Sequence, residues 1–68
     1  MPTETFNNLP KDKQEAIIRA AVAEFAKSAY EQASLTKIVA QAGIAKGSMY
    51  QYFENKRELY LYILNMAY

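Results

Sequence analysis

The feature that most constrains the fold is a pair of short helix patterns within residues 34–53, joined by about three residues that begin with a glycine. Ser34 suits a helix N-cap, because its hydroxyl can accept a hydrogen bond from a backbone N–H in the first turn. Gly43 suits the left-handed residue at which helices commonly end. The sequence therefore predicts one helix over 35–42 and a second over 46–52. Two short helices joined by about three residues with a glycine at the corner are typical of a helix-turn-helix motif.

A longer amphipathic segment precedes this pair. Pro10 suits the first position of a helix, and the pattern predicts a helix over 10–28. On a helical wheel its charged residues, including Glu24, fall on the side that we expect to face solvent. The apolar residues, which we expect to face the core, are Ile17, Ile18, Ala21, Val22, Phe25 and Ala29.

A further helix is predicted from residue 55 onward. Asn55 suits the N-cap, and Glu58, three residues later, completes a variant of the capping box. The residues over 59–64 are apolar nearly all round, which is typical of a helix that is buried on more than one side. Only one side can meet the preceding helices, so we expect a second domain or subunit to cover the other.

The sequence therefore predicts an all-α fold. We expect a flexible N-terminal arm over 1–9 and a three-helix, homeodomain-like helix-turn-helix domain over 10–54. We expect residues 55–68 to form the start of a fourth helix that links this domain to one outside the chain.

Composition argues against an enzyme. The 68 residues include no Cys and no His, and the acidic groups are one Asp and six Glu. Thiol nucleophiles, imidazole bases and the usual zinc ligand sets are excluded, so we expect no catalytic residue, no metal and no cofactor. The lack of Cys fits a reducing cytoplasm. No signal peptide is visible and no apolar run approaches the length of about 20 residues that spans a bilayer, so we expect no membrane association.

Charge is distributed unevenly along the chain, although the net charge is only +1. Residues 1–31 carry four basic and five acidic side chains, a balance of −1, whereas residues 32–68 carry four basic and two acidic side chains, a balance of +2. No acidic residue occurs from Gln32 to Phe53. A polyanion could approach that stretch without meeting a like charge, although many solvated helix faces share this pattern.

The helix predicted over 46–52 has an unusual outward face. Met49 and Phe53 point together and are expected in the core, whereas Gly47, Ser48 and Gln51 point the other way. A plain solvated face usually carries Lys and Glu. Because Gly47 has no side chain, the helix backbone there could come close to a phosphate or a base edge. Gln51 offers the donor and acceptor pair that matches the adenine edge in the major groove.

Four neighbouring residues are candidates for phosphate contacts: Lys46, Tyr50, Tyr52 and Lys56. These residues, and Gly47, also have explanations that involve no DNA. The two lysines can be solvated, the two tyrosines can belong to the core, and Gly47 can relieve crowding against the preceding helix. An alternative function is a helical protein-interaction module, which would dock through Tyr60, Tyr62 and Leu64 rather than through the short helix.

The run from Ala42 to Leu59, AGIAKGSMYQYFENKREL, resembles the N-terminal domain of TetR-type transcriptional regulators. The most specific element is the spacing of Gly47, Tyr50, Phe53 and Lys56. The likeness extends upstream to further residues that match the first two helices of the family, namely Ile17, Ala20, Ala21, Phe25, Tyr30, Ser34 and Ile38.

The resemblance implies a sequence-specific DNA-binding domain of a bacterial repressor. It also implies a homodimer that binds a palindromic double-stranded DNA operator, and a C-terminal domain, outside this chain, that dimerises and binds a small-molecule inducer. By position, it implies DNA contacts at Thr36, Lys46, Gly47, Ser48, Tyr50, Gln51, Tyr52 and Lys56.

Three residues depart from the family pattern. Val39 stands where alanine is commoner in the second helix, so we expect the second and third helices to pack slightly farther apart. Ala29 stands where a glycine usually closes the first helix, and a positive φ there would cost about 1 kcal/mol. Ala45 stands where Ser or Thr usually caps the third helix, which forfeits about 1 kcal/mol and one possible phosphate contact. Without such a cap, we expect this helix to begin at Ala45 or Lys46.

Overall fold

A computed structural model of the chain describes residues 3–67. Its regular elements are all helical: α1 Glu4–Asn7, α2 Lys11–Lys27, α3 Leu35–Ala42, α4 Lys46–Tyr52 and α5 Lys56–Ala67. The prediction of an all-α fold is confirmed over the described residues. Helix α2 packs against α3 and α5, while α4 packs against α3 and α1.

The α3–α4 pair forms as its local signals predict. The Ser34 hydroxyl accepts a hydrogen bond from the Lys37 N–H at 3.3 Å and so caps α3. Gly43 ends that helix with φ 75° and ψ 30°, in the left-handed region. The bounds of both helices coincide with the ranges 35–42 and 46–52 that the sequence predicts. Helix α4 begins at Lys46, and its N-cap residue, Ala45, makes no side-chain hydrogen bond.

The core lies where the four longer helices meet. Its fully buried large side chains come from different helices, because each helix contributes its own apolar face. Met49 and Phe53 are buried as predicted and hold α4 to the rest of the domain. The buried cluster consists of Phe6, Ile17, Ala20, Ala21, Ile38, Val39, Met49, Phe53, Leu59 and Ile63.

The predicted faces of α2 need correction. Glu24, which we expected at the surface, is only 2% exposed, because its carboxylate accepts a hydrogen bond from the Ser34 N–H at 3.0 Å. Val22 and Ala29, which we expected in the core, are exposed. The core-facing stripe is therefore rotated toward Ala20 and Glu24. Ala29 does not have a positive φ, so the strain considered at this position does not arise.

The N-terminal segment also differs from its prediction. Where the sequence predicts a flexible arm over 1–9, residues 4–7 form a helical turn whose Phe6 side chain is completely buried. The physical reason is tertiary. The Phe6 ring lies 5.0 Å from that of Phe53 and 5.8 Å from that of Tyr62, measured between ring centroids. Residues 1 and 2 lie outside the described residues.

Helix α5 begins as predicted beside Asn55, whose Oδ1 accepts a hydrogen bond from the Glu58 N–H at 2.9 Å. Leu59 and Ile63 are buried, whereas Leu61 and Met66 are 40% and 54% exposed. The helix is thus covered on one side by this domain, and large apolar groups remain at the surface elsewhere on it. No helix within residues 3–67 is both long and apolar enough to cross a membrane.

Candidate nucleic-acid interface

The outward face of α4 is small and polar, as the sequence predicts. Gly47 and Gln51 are exposed and Ser48 is half-buried, while Met49 on the opposite side is buried. This follows from the helical period of 3.6 residues, which places Gly47 and Gln51 on one face. Anchoring through Met49 and Phe53 therefore fixes which side chains the helix presents to solvent.

Gly47 has open space around it. A Cβ atom built on Gly47 would meet nothing within 4 Å. The plainer explanation for this glycine, relief of crowding against the preceding helix, is therefore wrong. Because glycine also costs about 1 kcal/mol in a helix relative to alanine, the folded domain alone gives no reason for it here. The vacant position would admit a close approach by another molecule.

The two tyrosines of α4 have different surroundings. Tyr50 is 50% exposed. Tyr52 is half-buried, and its ring packs edge-on against Phe6 with 6.2 Å between ring centroids. The structure therefore brings Tyr50 to the outward face and uses the ring of Tyr52 in packing.

Lys56 is engaged inside the domain. Its Nζ donates hydrogen bonds to the Tyr30 carbonyl at 2.8 Å and to the Ala33 carbonyl at 3.2 Å. The same atom lies 4.5 Å from the centroid of the Tyr30 ring, a cation–π distance. Lys56 thus ties the start of α5 to the segment between α2 and α3. A contact with phosphate would have to compete with these interactions.

The remaining predicted site residues are exposed. Thr36 lies in the first turn of α3, and Lys46 is the first residue of α4. Lys37, also exposed, adds a second cation to the stretch without acidic residues. Opposite charges attract over a Debye length of about 8 Å at physiological salt, so this surface favours a polyanion.

Comparison with known proteins identifies the family. The family model described as "Bacterial regulatory proteins, tetR family" matches residues 17–63, from the middle of α2 to near the end of α5. The chain belongs to the TetR family. It is a DNA-binding regulatory domain with a helix-turn-helix fold.

Curated TetR relatives align over most of the chain. The fatty acid metabolism regulator protein of Bacillus subtilis is 43% identical over 49 residues, which cover 72% of this chain and 25% of that protein. The transcriptional activator FasR of Mycolicibacterium smegmatis is 37% identical over 59 residues, 85% of this chain and 27% of the relative. The transcriptional repressor BepR of Brucella suis is 34% identical over 56 residues.

A solved structure supports the fold. A TetR family transcriptional regulator from Chloroflexus aurantiacus superimposes with a TM-score of 0.92 and 48% sequence identity, covering 97% of this chain and 30% of that one. The chain spans between about a quarter and a third of the length of these proteins. What they share with it is the TetR DNA-binding domain.

Sequence reasoning missed two polar contacts of this TetR domain. The buried Glu24 falls on the predicted solvent side of the helical wheel, and Lys56 is predicted to contact phosphate from the first turn of the last helix. Both side chains contact backbone groups of the segment 28–34. Contacts of this kind join residues distant in sequence and leave no periodic signal that a helical wheel could detect.

Proposed function

We propose that this chain is the operator-reading domain of a TetR-type transcriptional repressor, with α4 in the major groove of DNA. The observation that carries the proposal is the outward face of α4, where Gly47 leaves open space beside the exposed Gln51. A helix that only faced solvent would gain stability from alanine at that glycine.

Sequence reading is assigned to Gly47, Ser48 and Gln51. The amide of Gln51 matches the N6 and N7 groups of adenine, and the hydroxyl of Ser48 can pair with a base or a phosphate. At Gly47 the missing side chain lets the α4 backbone approach the groove wall. A bidentate pair of this kind discriminates between bases by about 1–3 kcal/mol.

Positioning on the duplex is assigned to residues that contact phosphates. Lys46 and Tyr50 are exposed beside the reading face, and Thr36 lies at the start of α3, where free backbone N–H groups favour an anion. Tyr52 and Lys56 are retained as weaker candidates, because packing and internal hydrogen bonds already engage them.

Larger-scale features of the proposal follow from the family resemblance. Two copies, paired through a C-terminal domain, would bind the two halves of a palindromic operator in the cytoplasm, and a small-molecule inducer would bind that domain. Relatives include one named as an activator and one named as a repressor. A reporter gene placed behind the selected operator distinguishes activation from repression, and repression is the expected result.

The proposal is tested by selecting preferred duplexes from a random-sequence pool with the chain, followed by titration of variants. Gln51→Ala should lose preference at one or two base pairs of the selected sequence, because the adenine contact disappears. Gln41→Ala is the matched control, since Gln41 lies beside Ala16 and Ala20 on the α2 side of α3. If the chain selects no preferred sequence, or if both variants behave alike, α4 does not read DNA as described.

A further inference from the structure

Helix α4, to which we assign sequence reading, has little local support. It contains seven residues, and its N-cap, Ala45, contributes no side-chain hydrogen bond. Isolated helices shorter than about 12–15 residues are marginal in water, and the last four carbonyls of any helix lack intrahelical partners. The orientation of α4 therefore depends on contacts from elsewhere in the chain.

Besides the core packing of Met49 and Phe53, two of those contacts come from the N-terminal segment. The Thr3 hydroxyl donates a hydrogen bond to the Gln51 carbonyl at 2.6 Å, across a sequence separation of 48 residues. The Thr3 backbone N–H donates to the Tyr52 carbonyl at 2.8 Å. One residue thereby satisfies two carbonyls of the last turn of α4. Thr3 acts as a C-cap that comes from a distant part of the same chain.

Buried aromatic packing holds this cap in place. The Thr3 hydroxyl also accepts a hydrogen bond from the Phe6 N–H at 3.4 Å and so caps α1. A hydroxyl has one donor and two acceptor sites, so both bonds form together. Phe6 is completely buried, and its ring contacts those of Tyr52 and Phe53. Thr3 is therefore fixed against α4 by the core itself.

We propose that Thr3 is a positioning residue for sequence reading, because it fixes the C-terminal end of α4 and thus the angle at which Gly47, Ser48 and Gln51 meet the bases. This inference rests on the proposed function. Residues 3–9 precede the segment 17–63 that the family model matches.

The inference predicts that affinity falls more for the preferred duplex than for a random duplex. Base contacts need donors and acceptors aligned in the groove, whereas phosphate contacts tolerate a change of angle. A domain that merely unfolds more often loses preferred and random duplexes in equal proportion. A domain with a misdirected α4 loses the preferred duplex more than the random one.

The experiment uses Thr3→Ala, which removes the hydroxyl and leaves the backbone N–H. The Kd is measured for a duplex selected by the wild-type chain and for a random duplex of the same length and salt. We expect the ratio of the two affinities to fall about two- to tenfold, the range that one lost hydrogen bond supports. Thr3→Ser keeps the hydroxyl and should restore the ratio.

Thr5→Ala is the matched control, because Thr5 lies in α1 but is exposed. An unchanged ratio in Thr3→Ala overturns the inference, and so does an equal fall in Thr5→Ala or a failure of Thr3→Ser to restore the ratio. Failure of the proposed function is distinguishable, because the wild-type chain itself would then show no preferred duplex.

Discussion

Gly43 and Gly47 stand one helical turn apart in the sequence, and a Cβ atom built on either one would meet nothing within 4 Å. Their backbones nevertheless differ. Gly43 has φ 75°, whereas Gly47 is the second residue of α4 and does not have a positive φ. One glycine is therefore required by the conformation of the chain, and the other is free of that requirement. The difference separates a residue needed for folding from one that we assign to binding.

Alanine at these two positions should change stability in opposite directions. Gly43→Ala places a side chain in the left-handed region and should lower the free energy of unfolding by about 1 kcal/mol. Gly47→Ala should raise it by about 0.4–1 kcal/mol, because alanine favours the helix. Urea denaturation of the two variants beside the wild-type chain measures both changes. A loss of stability in Gly47→Ala would show that the folded domain itself needs this glycine.

The same Gly47→Ala variant should bind DNA more weakly although it is more stable. Its new methyl group would project from the face that we place in the groove, where the backbone approaches the duplex. We expect at least a severalfold rise in Kd for the selected duplex, measured by fluorescence anisotropy. Tight binding combined with higher stability would exclude close approach at this position.

Sequence reasoning succeeded at residues whose role is local. Ser34 and Gly43 determine the bounds of α3 through hydrogen bonds and dihedral angles within a few residues, so their chemistry can be read directly. It failed at Glu24 and Phe6. Glu24 is buried because a backbone N–H ten residues away meets its carboxylate, and Phe6 because aromatic rings from α4 and α5 surround it. Neither environment exists before the helices pack.

At the scale of elements, the segment between α2 and α3 is held from two sides. Glu24 of α2 accepts a hydrogen bond from Ser34, and Lys56 of α5 donates to the carbonyls of Tyr30 and Ala33. The rings of Phe25, Tyr30 and Tyr60 pack together beside these bonds, with centroids 4.7–6.4 Å apart. The start of α3 is therefore anchored to both of the longer helices.

Lys56→Ala should reveal this structural role. The variant loses two hydrogen bonds from a charged donor and the cation–π contact, in a half-buried position. We expect the free energy of unfolding to fall by about 1–3 kcal/mol. Arg57→Ala is the control, because Arg57 is an exposed neighbour whose removal should change stability by less than about 0.5 kcal/mol. Thermal and urea denaturation measure both. Unchanged stability with lost DNA affinity would instead assign Lys56 to phosphate.

For the whole molecule, the decisive property is where its few charges lie rather than their sum. The net charge of +1 gives no general attraction to DNA. However, the segment from Gln32 to Phe53 contains Lys37 and Lys46 and no acidic residue, and both lysines are exposed. Binding to phosphates releases condensed counterions, so each contact adds about one unit to the slope of log K against log salt.

Lys46→Ala should therefore reduce that slope by about one unit and weaken selected and random duplexes alike. Lys27→Ala removes the same charge from the end of α2, where we place no DNA contact, and should leave the slope unchanged. Titrations between about 50 and 200 mM salt, within the range where the slope is linear, measure both. If the two variants lower the slope equally, attraction depends on the total charge of the chain. If only Lys46→Ala does so, phosphate binding is local to the α3–α4 surface, and a domain of nearly zero net charge binds DNA through the placement of a few cations.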